Sequence, residues 1–443
     1  MMAPKASATK RGGVSCGLGE VQDKWRPGPV RKRAMPTKAK TQGFSAERLN
    51  RIDRFLDERY VGPGLLPCAQ LQVIRGGALV HESVLGWKDV ERREPLAADT
   101  IFRIFSMTKP VISLAFMMLV EEGLVALDDP VARYIPAWKD LGVFVAGTYP
   151  AFQTRPPDRP MQIVDLLRHT SGLTYGFQQR TNVDAGYRGL KLAEIVPGAT
   201  LDDMIGQLAT LPLEFSPGEA WNYSVSTDVV GYLVGLISGA PLPQFLDERI
   251  FGPLGMRDTG FHVRDGQQGR LASCYQAGAG GGFTLQDDAR SSAFRAPPTF
   301  FSGGGGLVST ASDYARFARM LLNGGELDGA RLIAPKTLRL MAANHLPGGQ
   351  DLTRVSRSMF SESTYAGIGF GLGFATVFDQ PKTLVPCSPG EFYWGGMAST
   401  AFWIDPLEDV AVVFMTQLMP SSAYPIRRQL RTLVYSALLE TNG

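Results

Sequence analysis

The sequence predicts an α+β fold: an antiparallel sheet built from both ends of the chain, flanked by helices, with a mainly helical lobe inserted between the halves. Three observations carry this. β-rich segments cluster near residues 68–89 and again near 369–418. Capped amphipathic helices accompany both clusters. Between them the chain turns rich in Pro and Gly, with only short helical patterns. Strands at both ends with helices between are most economically joined into one sheet. The expected division is a basic, disordered tail over 1–44, a sheet domain over 45–125 and 300–443, and a helical lobe over 126–299.

The elements follow in order. In "SAERLNRIDRFLDERY", Ser45 caps a helix, with Glu47 in its first turn and Leu49, Ile52, Phe55 and Leu56 at helical spacing. "CAQLQVIRGGALVHESVLGW" places two β-rich runs around Gly76-Gly77, the pattern of a tight hairpin. "FRIFSMTKPVISLAFMMLVEEG" reads as an apolar helix ending near Gly123. The middle of the chain offers "MQIVDLLRHTSGL" and "TLDDMIGQLATL", both short helices. "STASDYARFARMLLNGG" is a capped helix with Tyr314, Phe317, Met320 and Leu321 on one face. "GFGLGFATVFD", "EFYWGGMASTAFWID" and "VAVVFMTQL" are strand-like, with "DPLE" turning the chain between the last two. A final helix carries Ile426, Leu430, Leu433, Val434, Ala437 and Leu438 as its apolar stripe.

Bulk properties narrow the class. With 443 residues, 44% of them hydrophobic, a large core is within reach. The charge is uneven: in residues 1–40 ten Lys or Arg meet only Glu20 and Asp23, so a tail near +8 sits on a remainder near −5 within the net +3. Such a tail suits either contact with an anionic surface or plain solvation; a nucleic-acid partner is not expected. No apolar segment precedes a cleavage site, and the longest apolar run, Pro110 to Val120, is well short of the roughly 20 residues of a membrane span. Cys16, Cys68, Cys274 and Cys387 are too scattered for a disulfide framework. The expectation is a soluble, cytoplasmic protein with no membrane partner.

The chemistry centres on Ser106-Met107-Thr108-Lys109. Residues three apart share a helix face, so hydroxyl and amine can meet. Pro110 fixes the helix start, since proline is tolerated only in a first turn. Ser106 therefore stands at a helix N-terminus, where negative charge is favoured, and its own N–H can face an oxyanion. The alternative for this stretch alone is a cap with a snorkelling lysine. Two decoys lie in the tail: Ser7-Ala8-Thr9-Lys10 has no apolar helix behind it, and Gly13-Val14-Ser15-Cys16-Gly17 lacks the strand and helix that a nucleophile elbow needs.

Tyr223, in "GEAWNYSVSTDVVGYLVGLISG", precedes a helix and can serve as a proton relay or as a half-buried packing residue. Unperturbed Tyr and Lys both titrate near 10, so neither is a base at neutral pH alone, and side by side they titrate as a pair. "YWGGMAST" places Trp394-Gly395-Gly396 in a strand. The glycines mark close approach, either of a ligand or at a bulge, and Met397 can offer a second oxyanion N–H. His81, His169, His262 and His345 lack the context of a triad, with His169 read as structural. No HExxH or clustered ligand set occurs, and "GIGFGLGF" fits neither glycine-rich nucleotide fingerprint. Neither metal nor organic cofactor is expected.

Ser106-x-x-Lys109, then Tyr223, then a glycine-bearing strand near the end resembles the serine β-lactamase and penicillin-binding-protein superfamily, closest to the family VIII carboxylesterases among its class C-like members. "LLRHTSGL", "FSPGEAWNYS", "PLGMRDTGF" and "GGGGLVSTASDYARF" look like the same family, and the likeness spans roughly 47–440. By resemblance, Ser106 is the nucleophile, Lys109 and Tyr223 handle the proton, Ser106 and Met397 give the oxyanion N–H groups, and Trp394, Gly395 and Gly396 meet substrate. Two departures matter. Tyr223-Ser224-Val225 lacks the asparagine of the lactamase Tyr-x-Asn motif. Trp394-Gly395-Gly396 stands where Lys-Thr-Gly would be, and Lys382-Thr383 lacks the glycine. An indole in place of a cation favours neutral acyl substrates. The expected activity is hydrolysis of short-chain carboxylic esters through an acyl-enzyme, with weak β-lactam hydrolysis on the side. The alternatives are a β-lactamase or peptidase, an amide-oligomer hydrolase, an acyltransferase, or a non-catalytic penicillin-binding-like protein.

Overall fold

The computed structural model describes residues 42–192, 198–358 and 364–442. The basic tail expected over 1–44, with both decoy motifs, lies outside the described residues up to position 41.

The chain's two ends meet in one eight-stranded antiparallel sheet. Its strands are β1 (Cys68–Arg75), β2 (Ala78–Asp89), β3 (Glu94–Pro95), β4 (Ile368–Phe370), β5 (Ala375–Val377), β6 (Phe392–Gly395), β7 (Ala401–Asp405) and β8 (Val410–Met415), in the order β4-β5-β6-β7-β8-β1-β2-β3. The seam between the halves is β1 against β8, in register from Gln70↔Met415 to Arg75↔Val410. β1 and β8 are buried along their whole length, which explains why their sequences are nearly continuous apolar runs rather than alternating ones. Gly76 and Gly77 turn β1 into β2 with φ of +56° and +70°, a two-residue turn that a β-carbon would strain.

Helices cover both faces. Neighbouring residues of β7 point to opposite sides: Trp403 receives Arg431 of α5 (Ile426–Ala437), and Phe402 packs on Tyr314 of α4 (Ala311–Leu322). α1 (Ala46–Leu56) lies against α5, with its Ser45 oxygen accepting from Arg48 N–H as the sequence pattern implied.

Two runs differ from expectation. "GFGLGFATVFD" is not one strand but a hairpin, β4 and β5, closed by Gly371 N–H to Phe374 O at 2.8 Å. Gly373 makes the bend possible at φ +97°. "EFYWGGMASTAFWID" likewise folds back on itself, as β6 and β7 around the turn 396–400. The middle of the chain also holds strands that the Pro/Gly pattern concealed, notably the hairpin Val143–Thr148 with Ala151–Arg155. No single helix among the described residues is long and apolar enough to cross a membrane. Cys68, Cys274 and Cys387 are free and buried.

Candidate active site

The strand Ile101–Arg103 pairs with Val308–Thr310 and delivers the chain to a 3-10 turn, Phe105–Met107, from which α2 (Thr108–Glu121) runs into the core. The turn is pinned on three sides. Ile104 N–H donates to Leu307 O, the Thr108 hydroxyl accepts from Leu307 N–H, and the Tyr314 hydroxyl donates to Met107 O at 2.9 Å. Phe105 sits at φ +43°, an uncommon conformation for a non-glycine residue, held by this framework immediately before Ser106. Ser106 thus occupies the turn before the helix rather than the helix itself.

Lys109 is 2% exposed. Its Nζ donates to the Gly304 carbonyl at 2.6 Å and lies 3.3 Å from Ser106 Oγ. Two phenol rings flank it, with centres 4.5 Å (Tyr223) and 5.4 Å (Tyr175) from Nζ. A buried ammonium loses several kcal/mol of hydration, and the carbonyl and ring faces offset part of that. Tyr223 lies just before α3 (Ser226–Ser238). Its backbone carbonyl accepts from Gln178, and its ring is boxed by His169, Tyr175 and Trp394 at 5.1, 5.4 and 5.5 Å.

The turn between β6 and β7 completes the cluster. Gly396 N–H donates to Thr400 O and Ser399 N–H to Gly396 O, bonds that leave the Met397 N–H uninvolved. Arg427 clamps the turn through the Gly396 and Thr400 carbonyls, each at 2.7 Å. A β-carbon on Gly396 would lie 2.4 Å from Ile104 O, so this turn and the Ser106 turn abut. Ser106 and Met397 both line one cavity of about 710 Å³.

Trp394, Gly395 and Gly396 stand one layer back from the expected substrate contact. The indole is 1% exposed and packs on Tyr223 and Phe370. A β-carbon on Gly395 would meet the Arg427 guanidinium, so the glycines admit neighbouring protein rather than line the cavity. The wall is instead largely aromatic and apolar, with Phe105, Tyr175, Phe177, Phe294, Phe300 and Met397. Arg188 reaches it already bonded to Asp184 and the Gly176 carbonyl.

Sequence reasoning missed Tyr175, Asp228 and the Gly303–Gly305 loop. The available signal was the run "GGGG": a β-carbon on Gly303 would strike Thr227 O at 2.5 Å, and one on Gly304 would strike Asp228 Oδ2 at 2.5 Å. Asp228 accepts from the Ser302 hydroxyl at 2.6 Å and Gly304 N–H at 2.9 Å. Burial pushes its carboxyl above the ordinary range, opposed by the Lys109 charge.

The histidines stand apart from this chemistry. Burial, aided by the Lys109 charge, holds His169 well below its usual range, so it is a neutral ring bonded to Ser224. His81 does meet a serine and an acid, Ser83 and Asp53, but Ser83 donates directly to Asp53 and both partners use the same ring nitrogen. That arrangement lacks the relay of a triad, in which the two ring nitrogens serve different partners. Among the described residues no group of three or more His, Cys, Asp or Glu is placed to hold a metal.

The fold and the serine–lysine–tyrosine cluster define a protein of the serine β-lactamase and penicillin-binding type. The Beta-lactamase family model matches residues 56–436, and the chain belongs to that family. It is 38% identical over 360 residues to Protein Rv1367c of Mycobacterium tuberculosis (strain ATCC 25618 / H37Rv), covering 81% of this chain and 87% of that one. It is 30% identical over 386 residues to Esterase EstB of Burkholderia gladioli, covering 82% and 89%. Among solved structures it is similar to EstCE1, described as a hydrolase with promiscuous acyltransferase activity, at 25% identity and a TM-score of 0.73, covering 91% of this chain and all of that one.

Proposed function

We propose that this protein is a serine carboxylesterase that hydrolyses short-chain and other uncharged esters through an acyl-enzyme. The observation that carries the reading is the position of the Lys109 ammonium, 3.3 Å from Ser106 Oγ and 4.5 Å from the centre of the Tyr223 ring, behind two residues that line a largely apolar cavity. Ser106 Oγ attacks the ester carbonyl while its proton passes to the Lys109–Tyr223 pair. The tetrahedral oxyanion takes the Ser106 and Met397 N–H groups. The C–O bond to the alcohol breaks as the pair returns the proton to it. Water, deprotonated by the same pair, then attacks the acyl carbon and releases Ser106 and the acid.

The character of the cavity wall supports an ester over a lactam. A β-lactam or a peptide terminus brings a carboxylate that needs a cation, and the cation that lines the wall among the described residues, Arg188, is committed to Asp184 and Gly176. Kinship with Esterase EstB supports the ester reading. The apolar cavity also favours a second reading, acyl transfer, in which a bound alcohol replaces water in the second step. EstCE1 carries such an activity in its description.

The test compares kcat/KM for short-chain nitrophenyl esters with that for a chromogenic cephalosporin, alongside mass mapping of a fluorophosphonate adduct. Esterase turnover with the adduct on Ser106 is expected. Normal ester turnover by Ser106→Ala would sink the reading, and a cephalosporin preference would move it to a lactamase.

A further inference from the structure

Asp228 is fully buried in the first turn of α3, five positions after Tyr223, so one short segment sends a phenol and a carboxyl to the same cavity wall. One carboxyl oxygen, Oδ1, is engaged by Ser302 Oγ at 2.6 Å and Gly304 N–H at 2.9 Å. The carbonyl of that same Gly304 accepts from Lys109 Nζ at 2.6 Å. Carboxylate, peptide and ammonium thus form a continuous chain, with the Gly304 peptide polarised from both ends. The other oxygen, Oδ2, is buried with no hydrogen-bond partner among the described residues. An unbonded carboxyl oxygen is costly to bury, so a purely structural anchor for the Gly304 loop would be better served by a neutral side chain.

We propose that Asp228 is a positioning residue for the reaction: it holds the Gly304 peptide that aims Lys109 and carries the counter-charge of that lysine. Among the described residues the groups facing Lys109 include Ser106 from its own turn, Tyr223 and Asp228 from the start of α3, Tyr175, the Gly304 carbonyl and His169. Of these Asp228 supplies the carboxylate. His169 is neutral, and burial together with the Asp228 charge keeps the Tyr175 phenol protonated. An anion beside an ammonium favours the charged amine. Asp228 therefore sets how readily the Lys109–Tyr223 pair gives up its proton to become the base. The inference rests on the proton-handling role given to Lys109 above, and its test reads that lysine directly.

The test uses the full chain labelled with 13C,15N-lysine, with the Lys109 signal assigned by its loss in Lys109→Arg. Asp228→Asn keeps the Oδ1 acceptor for Ser302 and Gly304 and removes the charge. Its Lys109 midpoint should fall by about one pH unit, and the acid limb of kcat/KM for nitrophenyl butanoate should move down with it. A residue that merely braces the fold would lower the rate without moving either. An unmoved midpoint overturns the inference while leaving the esterase reading intact. A shifted midpoint in a protein that turns over no ester supports the inference and removes the esterase reading. Should Asp228→Asn fail to fold, Ser302→Ala takes its place: removing the hydroxyl donor disfavours the carboxylate, so the midpoint should move the same way by less, and no movement overturns the inference.

Discussion

Lys109 donates to the Gly304 carbonyl at 2.6 Å while its Nζ stays 3.3 Å from Ser106 Oγ. The shorter contact holds the lysine and the longer one faces the serine hydroxyl. Lys109→Met keeps the length and packing of the stem and removes the amine. Loss of a general base typically costs 10²–10⁴-fold, and kcat/KM for nitrophenyl butanoate is expected to fall within about that range. Removing the ammonium spares its desolvation but leaves the buried Asp228 carboxyl without its counter-charge and the Gly304 carbonyl without its donor, so the melting temperature should fall as well. An unchanged kcat/KM in a folded Lys109→Met would remove Lys109 from the chemistry.

Gly395 and Gly396 separate by what a side chain would meet. At Gly396 a β-carbon would lie 2.4 Å from both Ile104 O and Thr400 Oγ1, atoms of the two turns that carry Ser106 and Met397. Gly396→Ala must push those turns apart, and displacing one oxyanion donor costs about 10²–10³ in kcat. At Gly395 the obstacle is the Arg427 guanidinium, a side chain that can give where the backbone of the Ser106 turn cannot, though in giving it loosens the clamp on the Gly396 and Thr400 carbonyls. Gly395→Ala should therefore lower kcat, but by less than Gly396→Ala. The pair of kcat values, with KM little changed in Gly396→Ala, is the check. Equal losses would refute the assignment of the Met397 N–H.

The seams of the fold were legible in the sequence, and so was the pairing of Ser106 with Lys109. Period, caps and the Gly76-Gly77 turn point to β1, β2 and the helices that cover them, because a hairpin turn or a cap is set by a few adjacent residues. The spacing of Ser106 and Lys109 is likewise local. Trp394 was harder. A strand pattern says that alternate residues share a face, not which face looks into a cavity, and here the indole turned to Tyr223 and Phe370. Asp228 was invisible for a different reason: an acid in a helix's first turn is ordinary. Only the close approach of the Gly303–Gly305 loop, some 75 positions later, gives it partners.

Substrate size should be read by the cavity wall around Phe294. Phe294 packs edge-on to Phe105 at 6.4 Å and receives the Arg103 guanidinium at 5.5 Å. Phe294→Ala opens that wall and removes apolar contact worth about 1–3 kcal/mol. KM for apolar esters should rise by about tenfold or more with kcat nearly kept, since the loss is of binding shared by ground and transition states. A fall in kcat with KM unchanged would place Phe294 among the groups that act on the reacting atoms.

Stability should carry the mark of a carboxyl far from the site. Glu391 is fully buried between β5, β6 and α5, paired with Arg431 at 2.7 Å and bonded to the Tyr435 hydroxyl at 2.6 Å. Burial nevertheless pushes its carboxyl up to about 7 from the ordinary 4.5, outweighing the Arg431 charge. Between those two pH values the folded protein keeps a proton that the unfolded chain has released. Raising the pH through that window therefore favours unfolding. The contribution is largest below about 4.5 and is lost as the pH passes about 7, beyond which it is flat. Glu391→Gln stays neutral at every pH, as Glu391 itself does in the folded protein below about 7, so the two should melt close together at pH 5. Their pH dependences should differ in a defined way. The melting temperature of Glu391→Gln should gain steadily on the parent's from pH 5 to pH 7 and the gap should then stay constant, because only the parent must ionise the buried carboxyl. Thermal melts across pH 5–8.5 measure that gap. A gap that stayed level throughout would mean that Glu391 is ionised in the folded protein from the start, with the Arg431 charge prevailing over burial.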